Sequence, residues 1–221
     1  MANQSLSIRA VASLCILVAF GSVPRASHAQ VSVGAVLGVS RSGVSGDRPD
    51  GTTFSTRTGL IAGAVVEIPL THDVHLVFQP GYIQRGANIG FDVGDPEPID
   101  SGSVTLDYIS MPILVKIITS NRKLYVTSGI DIGYLSSATL TEGTTETDLS
   151  QILNDLDFSV IFGVGWMIPI GRPAVTIDLR YNQSLSNLNS SATVPGNLPA
   201  RFRSSGFQLL AGVLLPLGGS R

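Results

Sequence analysis

Cysteine is nearly absent from this chain of 221 residues: there is one, Cys15. It lies inside an apolar run, behind Leu14 rather than behind the small residue of a lipidation site. Beyond that run there is no thiol. A disulfide framework, a thiolate metal site and a cysteine nucleophile are therefore excluded from the rest of the chain. Histidine is scarce as well. Outside the N-terminal region only His72 and His75 occur, close together. Charge is sparse and mildly acidic, 16 Asp and Glu against 14 Lys and Arg, and no basic cluster interrupts it. That excludes an electropositive nucleic-acid surface. No apolar run reaches the ~20 residues of a membrane-spanning helix, and no stretch holds a helical period with caps.

Residues 1–29 read as a secretory signal peptide. Arg9 supplies a positive start and residues 10–21, AVASLCILVAFG, the apolar centre. Ser27 and Ala29 then place small residues where a signal peptidase reads them, so cleavage is expected after Ala29. Residues 30–221 remain as a single domain. Arg9 and Arg25 leave with the signal, so 16 acidic residues then face 12 basic ones.

The 24 glycines and the many Val, Ile, Leu, Thr and aromatic residues point to strands. Period-two alternation predicts about eight, near 31–40, 56–69, 74–87, 103–118, 123–137, 156–169, 174–185 and 204–217. Their connections alternate in length. LTHD, TSNR and IGRP are short turns, whereas 41–55, 88–102, 138–155 and 186–203 are long and polar and read as loops. Short turns at one end and long loops at the other are the layout of a closed antiparallel up-and-down transmembrane β-barrel, an all-β fold, in a bacterial outer membrane.

Parity within each strand predicts which face meets lipid. DFSVIFGVGWMIPIG, residues 157–171, shows the rule. Phe158, Val160, Phe162, Val164, Trp166 and Ile168 form one bulky apolar face, and Asp157, Ser159, Gly163 and Gly165 stand on the other. Across the strands the second face collects Glu67, Arg85, Lys116, Asp131, Asp157, Asp178 and Arg180, with Gln79 and Gln208. Four acids against three bases suit a narrow interior in which charges pair. On the lipid face each would cost ~2–4 kcal/mol at the midplane. Tyr134, Phe158, Tyr181 and Phe207 fall on the apolar faces toward the long loops, and Phe78 and Trp166 toward the short turns, as two aromatic belts. Pro80 and Pro112 fall mid-strand, where each removes a ladder donor, so a bulge or local twist is expected at both.

Several segments resemble the outer-membrane β-barrel domain of PorT-like proteins. They are GLIAGAVVEIPL, HLVFQPGYIQRGA, LDYISMPILVKI, YVTSGIDIGYL, DFSVIFGVGW, TIDLRYNQSLSNL and FQLLAGVLLPL. The family's corner motif falls on Tyr82 to Gly86, its Tyr-x-x-x-Pro strand on Tyr108 to Pro112, and its late Arg-Tyr-Asn on Arg180 to Asn182. The resemblance covers nearly all of residues 30–221. It departs at the C-terminus, LLPLGGSR, where many outer-membrane proteins carry an aromatic residue. It implies a bacterial outer-membrane barrel, with links to secretion and cell-surface assembly through its founding member.

Catalytic chemistry finds no support in the sequence. The serines of 186–206 have no histidine at their end of the strands, because His72 and His75 fall at the first short turn. Asp92, Asp95, Glu97 and Asp100 offer oxygens to calcium, but without regular loop spacing they read as a solvated acidic loop. The pair His72 and His75 reads likewise as a turn, not a metal site. No catalytic residue, metal ligand or cofactor is predicted. The expected function is a structural or interaction module in the outer membrane, in contact with lipid and with secretion or cell-surface proteins. The alternatives are a narrow channel and a soluble, lipocalin-like carrier in the periplasm.

Overall fold

The computed structural model describes residues 30–46, 52–91, 99–142, 145–150, 153–186 and 202–218. The expected signal peptide lies outside them. Ten strands follow in chain order: β1 (Ser32–Gly46), β2 (Thr52–Pro69), β3 (Val74–Phe78), β4 (Gly81–Phe91), β5 (Ile99–Ile118), β6 (Leu124–Glu142), β7 (Thr145–Asp148), β8 (Leu156–Pro169), β9 (Ala174–Ser184) and β10 (Phe202–Pro216). β3 and β4 are two halves of one strand, interrupted at Gln79–Pro80 but in a single register with β2 and β5 across the break, and β7 is a short outrigger on β6. With β3 and β4 counted as one and β7 left aside, eight positions close into a ring of antiparallel neighbours, sealed where β1 pairs with β10 along its whole length.

The ring is staggered. Partners can be followed from Val33 to Val66, Phe78, Ile113, Ile130, Val160, Gln183, Ser205 and back to β1 at Gly43. The path returns ten residues further along β1 than it began. A closed sheet with such a shift has strands tilted by roughly 35–45° to its axis, and at eight strands its interior is just wide enough to be filled by side chains.

The predicted faces hold in every strand. Leu37, Leu60, Ile109, Ile130, Phe162, Trp166, Leu179, Phe207 and Leu215 stand exposed around the outside. All seven predicted interior charges are buried, as are Gln79 and Gln208. A soluble carrier would need the reverse arrangement, so that alternative falls. The interior is less polar than glycines and charges alone would make it. Val36, Ile61, Val65, Val77, Ile83, Leu114, Ile161, Leu210 and Leu214 also point inward. Pairs such as Leu209 and Leu210, one exposed and one buried, show why parity alone does not reveal them.

Two expectations need correction. The long stretches are not loops throughout, because β1, β2, β4, β5 and β6 run on through 41–46, 52–55, 88–91, 99–102 and 138–142. Past the bilayer, water satisfies both faces of a strand. Hydrophobic alternation then vanishes while Thr- and Ser-rich pairing continues, so the sequence reads as loop where the backbone remains strand. The prolines also differ from expectation. Pro80 interrupts the ladder between β3 and β4 but adds no bulge, since Phe78–Ile113 and Gly81–Ser110 share one register, and Pro112 likewise stays in register opposite Asp131. The reason is geometric. Pro112 turns toward the Gln79–Pro80 gap and its carbonyl accepts the Gln79 N–H at 3.0 Å, so its missing donor falls where the ladder is already open. The Pro80 carbonyl in turn accepts from Ala64 at 2.9 Å.

A bulge occurs instead beyond Tyr134. Asp107 faces Ser137 while Tyr108 faces Leu135, which leaves Ser136 as the extra residue. The shift in parity turns both Leu135 and Ala138 inward.

Candidate functional site

The most organised polar feature is the filled interior. It has three tiers, each tying strands far apart in sequence. At the short-turn end Glu67 of β2 accepts from Lys116 Nζ of β5 at 2.8 Å, and its other oxygen lies 2.5 Å from His75 Nδ1 of β3. The Lys116 ammonium sits 4.2 Å over the Tyr125 ring. That ring lies flat against Gly165, where an added Cβ would come within 2.2 Å of it. The glycine is there because the tyrosine needs its space.

Arg180 of β9 holds the middle tier. It donates to Gln79 Oε1 at 2.8 Å and to Asp178 Oδ1 at 3.3 Å. The third tier centres on Arg85 of β4, whose two terminal nitrogens reach Asp157 at 2.7 Å and Asp131 at 2.8 Å. Ser110 donates to Asp131 at 2.6 Å, Ser159 to Asp157 at 2.8 Å, and Ser184 to the other Asp157 oxygen. Every carboxylate has a cation or hydroxyl partner, which is the condition for keeping ionised groups in a low-dielectric interior. The apolar cluster of the interior reaches past Arg85 to Val104, Leu106, Leu135, Ala138 and Leu149, with Leu140 and Leu153 packed against it.

Among the described residues the spaces beside the tiers are small. Voids of about 20, 20 and 10 Å³ lie beside Lys116, beside Gln79 and Ser110, and beside Ser42 and Asn182. Each has room for about one water. Among the described residues, four buried polar atoms have no protein partner: Arg85 Nε, Thr127 Oγ1, Arg180 Nε and Asn182 Nδ2. Thr127 and Arg180 line the first void, and Arg85 and Asn182 the third. Single waters there would satisfy them.

The sequence identified all seven charges but not who meets whom, because that depends on the stagger of the ring. It also missed Asp107. This carboxylate lies on the outer face, just beyond Ile109, and accepts from the Tyr82 hydroxyl at 2.6 Å and from Gln84 at 3.1 Å. Gln84 and Asp107 face each other, with Tyr82 opposite Ile109 one step toward the bilayer, and these polar groups mark the edge of the apolar band. Of the aromatic belts, Tyr181 and Phe207 touch, with ring centroids 5.2 Å apart.

His72 and His75 part company. His75 joins Glu67 inside, whereas His72 is exposed on the turn beside the Arg122 guanidinium. Among the described serines beyond β9, Ser186 accepts the Phe158 N–H at 2.9 Å, at the start of β8. Asp92, Asp95 and Glu97 lie outside the described residues. Asp100 is in β5, where it pairs with Gly90.

Residues 24–190 match the family described as Outer membrane protein beta-barrel domain. Among solved structures, the outer membrane protein OprG from Pseudomonas aeruginosa superposes with a TM-score of 0.50 at 7% identity, over 86% of this chain and 97% of that one. Neisserial surface protein A gives 0.46 at 13%, over 85% and 97%. Ail, the attachment invasion locus protein of Yersinia pestis, gives 0.44 at 14%, over 84% and 99%. No curated protein matches the sequence. Three quarters of the chain thus carries the family's sequence pattern, and the whole ring carries an apolar exterior around buried, paired charges: this chain belongs to the outer membrane protein β-barrel domain family, and its place is the bacterial outer membrane.

Proposed function

We propose that the protein is a closed outer-membrane scaffold whose work is done by the sheet and loops it raises above the bilayer. The observation that carries this reading is the filled interior. Seven charges lie paired within it, and the voids beside them hold about one water each. Such a barrel passes nothing larger than an ion, so its contacts are external. The strands that outrun the membrane, with the acidic sequence stretches around residues 92–100 and 142–155 between them, would supply the polar contact surface. The resemblance to PorT-like domains extends the proposal to partners in secretion or cell-surface assembly.

Export follows from the same reading, with residues 1–29 removed. Intact-mass measurement of protein isolated from outer membranes should then give a chain beginning at Gln30. Crosslinking in intact cells, with identification of what co-purifies, tests the function itself. Recovery of secretion or surface proteins through residues 142–155 supports it. A conductance of discrete steps in planar bilayers would replace it with the narrow-channel reading.

A further inference from the structure

The short turns carry charge of largely one sign. Turns 70–73, 119–123 and 170–173 hold Arg122, Lys123 and Arg172, with the exposed His72, against a single acid, Asp73. These turns are neighbours around the ring, because β3 pairs with β5 and β6 with β8. Turn 119–123 is tied to both sides: the Arg122 guanidinium lies 2.7 Å from His72 Nε2 of turn 70–73, and the Lys123 carbonyl accepts at 2.7 Å the N–H of Met167, in β8 just ahead of turn 170–173. Arg122 stands in the left-handed region, φ 53°, and its N–H is held by the Thr119 carbonyl at 2.8 Å. The basic arc is therefore presented by a fixed turn.

A second feature lies on the same strands. The outer face of β5, β6, β8 and β9 has an apolar groove of about 540 Å³, walled by Ile117, Val126, Phe162, Val164, Leu179 and Tyr181. Its floor includes Ser128, which is level with Val115 on one side and the far bulkier Phe162 on the other. A small residue among large ones makes the depression. The groove ends toward the turns at Ile117 and Val126, a few residues from Thr119 and Lys123.

We propose that groove and arc together form a binding site for one anionic phospholipid of the inner, periplasm-facing leaflet. An acyl chain lies in the groove, and the phosphate and its acidic headgroup meet Arg122, Lys123 and Arg172. Charge complementarity and continuity select this occupant. The basic groups sit at the depth of the headgroups, directly beneath an apolar channel, and basic side chains at that level attract anionic lipid. The long-loop end, with Glu142, Glu146, Asp148 and Asp155 among its residues, has the opposite charge.

The test is native mass spectrometry of the full chain released from vesicles of equal phosphatidylglycerol and phosphatidylcholine. The wild type should retain phosphatidylglycerol several-fold over phosphatidylcholine. The exposed-turn variant Arg122→Gln/Lys123→Gln/Arg172→Gln should retain both equally, with an unchanged melting temperature in neutral detergent. Ser128→Phe, which fills the groove from an exposed position, should lose both bound lipids. Equal retention by the wild type, undiminished preference in the triple variant, or a species of two chains that disappears with Ser128→Phe would each overturn the proposal.

Discussion

Removing the Arg85 guanidinium would strand two carboxylates, Asp131 and Asp157, each about 1% exposed. Breaking a buried pair from one side costs about 3–5 kcal/mol, because the remaining charge has no water to turn to. Arg85→Met should lower unfolding stability in urea by that amount or more. Combining it with Asp131→Asn and Asp157→Asn should recover much of the loss, since the cost lies in the uncompensated charge. Gly165 makes a steric counterpart. A methyl group there would stand 2.2 Å from the Tyr125 ring. Gly165→Ala should cost about 1–3 kcal/mol, as overpacking does, and Tyr125→Leu in the same chain should relieve it. At the extracellular end Asp148 is held below the ordinary carboxylate value by its hydrogen bonds to the Ser150 hydroxyl and to the Ser150 N–H at 2.8 Å. A depressed carboxylate supports its structure above its unfolded pKa and loses that support as pH falls through the folded one. Hydrogen exchange at the Ser150 amide should therefore quicken as pH drops below the usual aspartate range, after correction for intrinsic rates.

At the scale of single strands, the faces were legible in the sequence and the ends were not. Parity placed Phe158, Phe162 and Trp166 outside and Asp157 inside because only one arrangement keeps a charge out of hydrocarbon. That constraint ends with the bilayer. Segments such as 138–142 continue as strand under pairing alone, which no period-two pattern records. The tiers were half legible. Glu67, Lys116 and Arg85 declared themselves as interior charges, but the Glu67–Lys116 and Arg85–Asp157 pairs follow from the ten-residue stagger of the closed ring, which alternation does not encode. Pro112 was misjudged for a similar reason. The gap that absorbs its missing donor belongs to another strand. Leu179→Arg, on the outer face of β9, should cost about 2–4 kcal/mol in lipid vesicles, and the loss should shrink for a site near the rim such as Leu217.

For the molecule as a whole, the account rests on one orientation: hydrocarbon meets the apolar exterior, and ionised groups are enclosed. Together with the paired charges and small voids of the interior, it leads to the absence of discrete conductance steps expected in planar bilayers and to the proposal that function lies at the surfaces of either end. The chain carries its own reporter, since Trp166 is its single tryptophan and is 53% exposed on the outer face of β8. The most direct measurement is quenching of Trp166 fluorescence in reconstituted vesicles, comparing lipids brominated along the acyl chain with iodide in the buffer. The account predicts strong quenching by brominated lipid and little by iodide. Efficient quenching by iodide with none from the brominated chains would place Trp166 in water and contradict it.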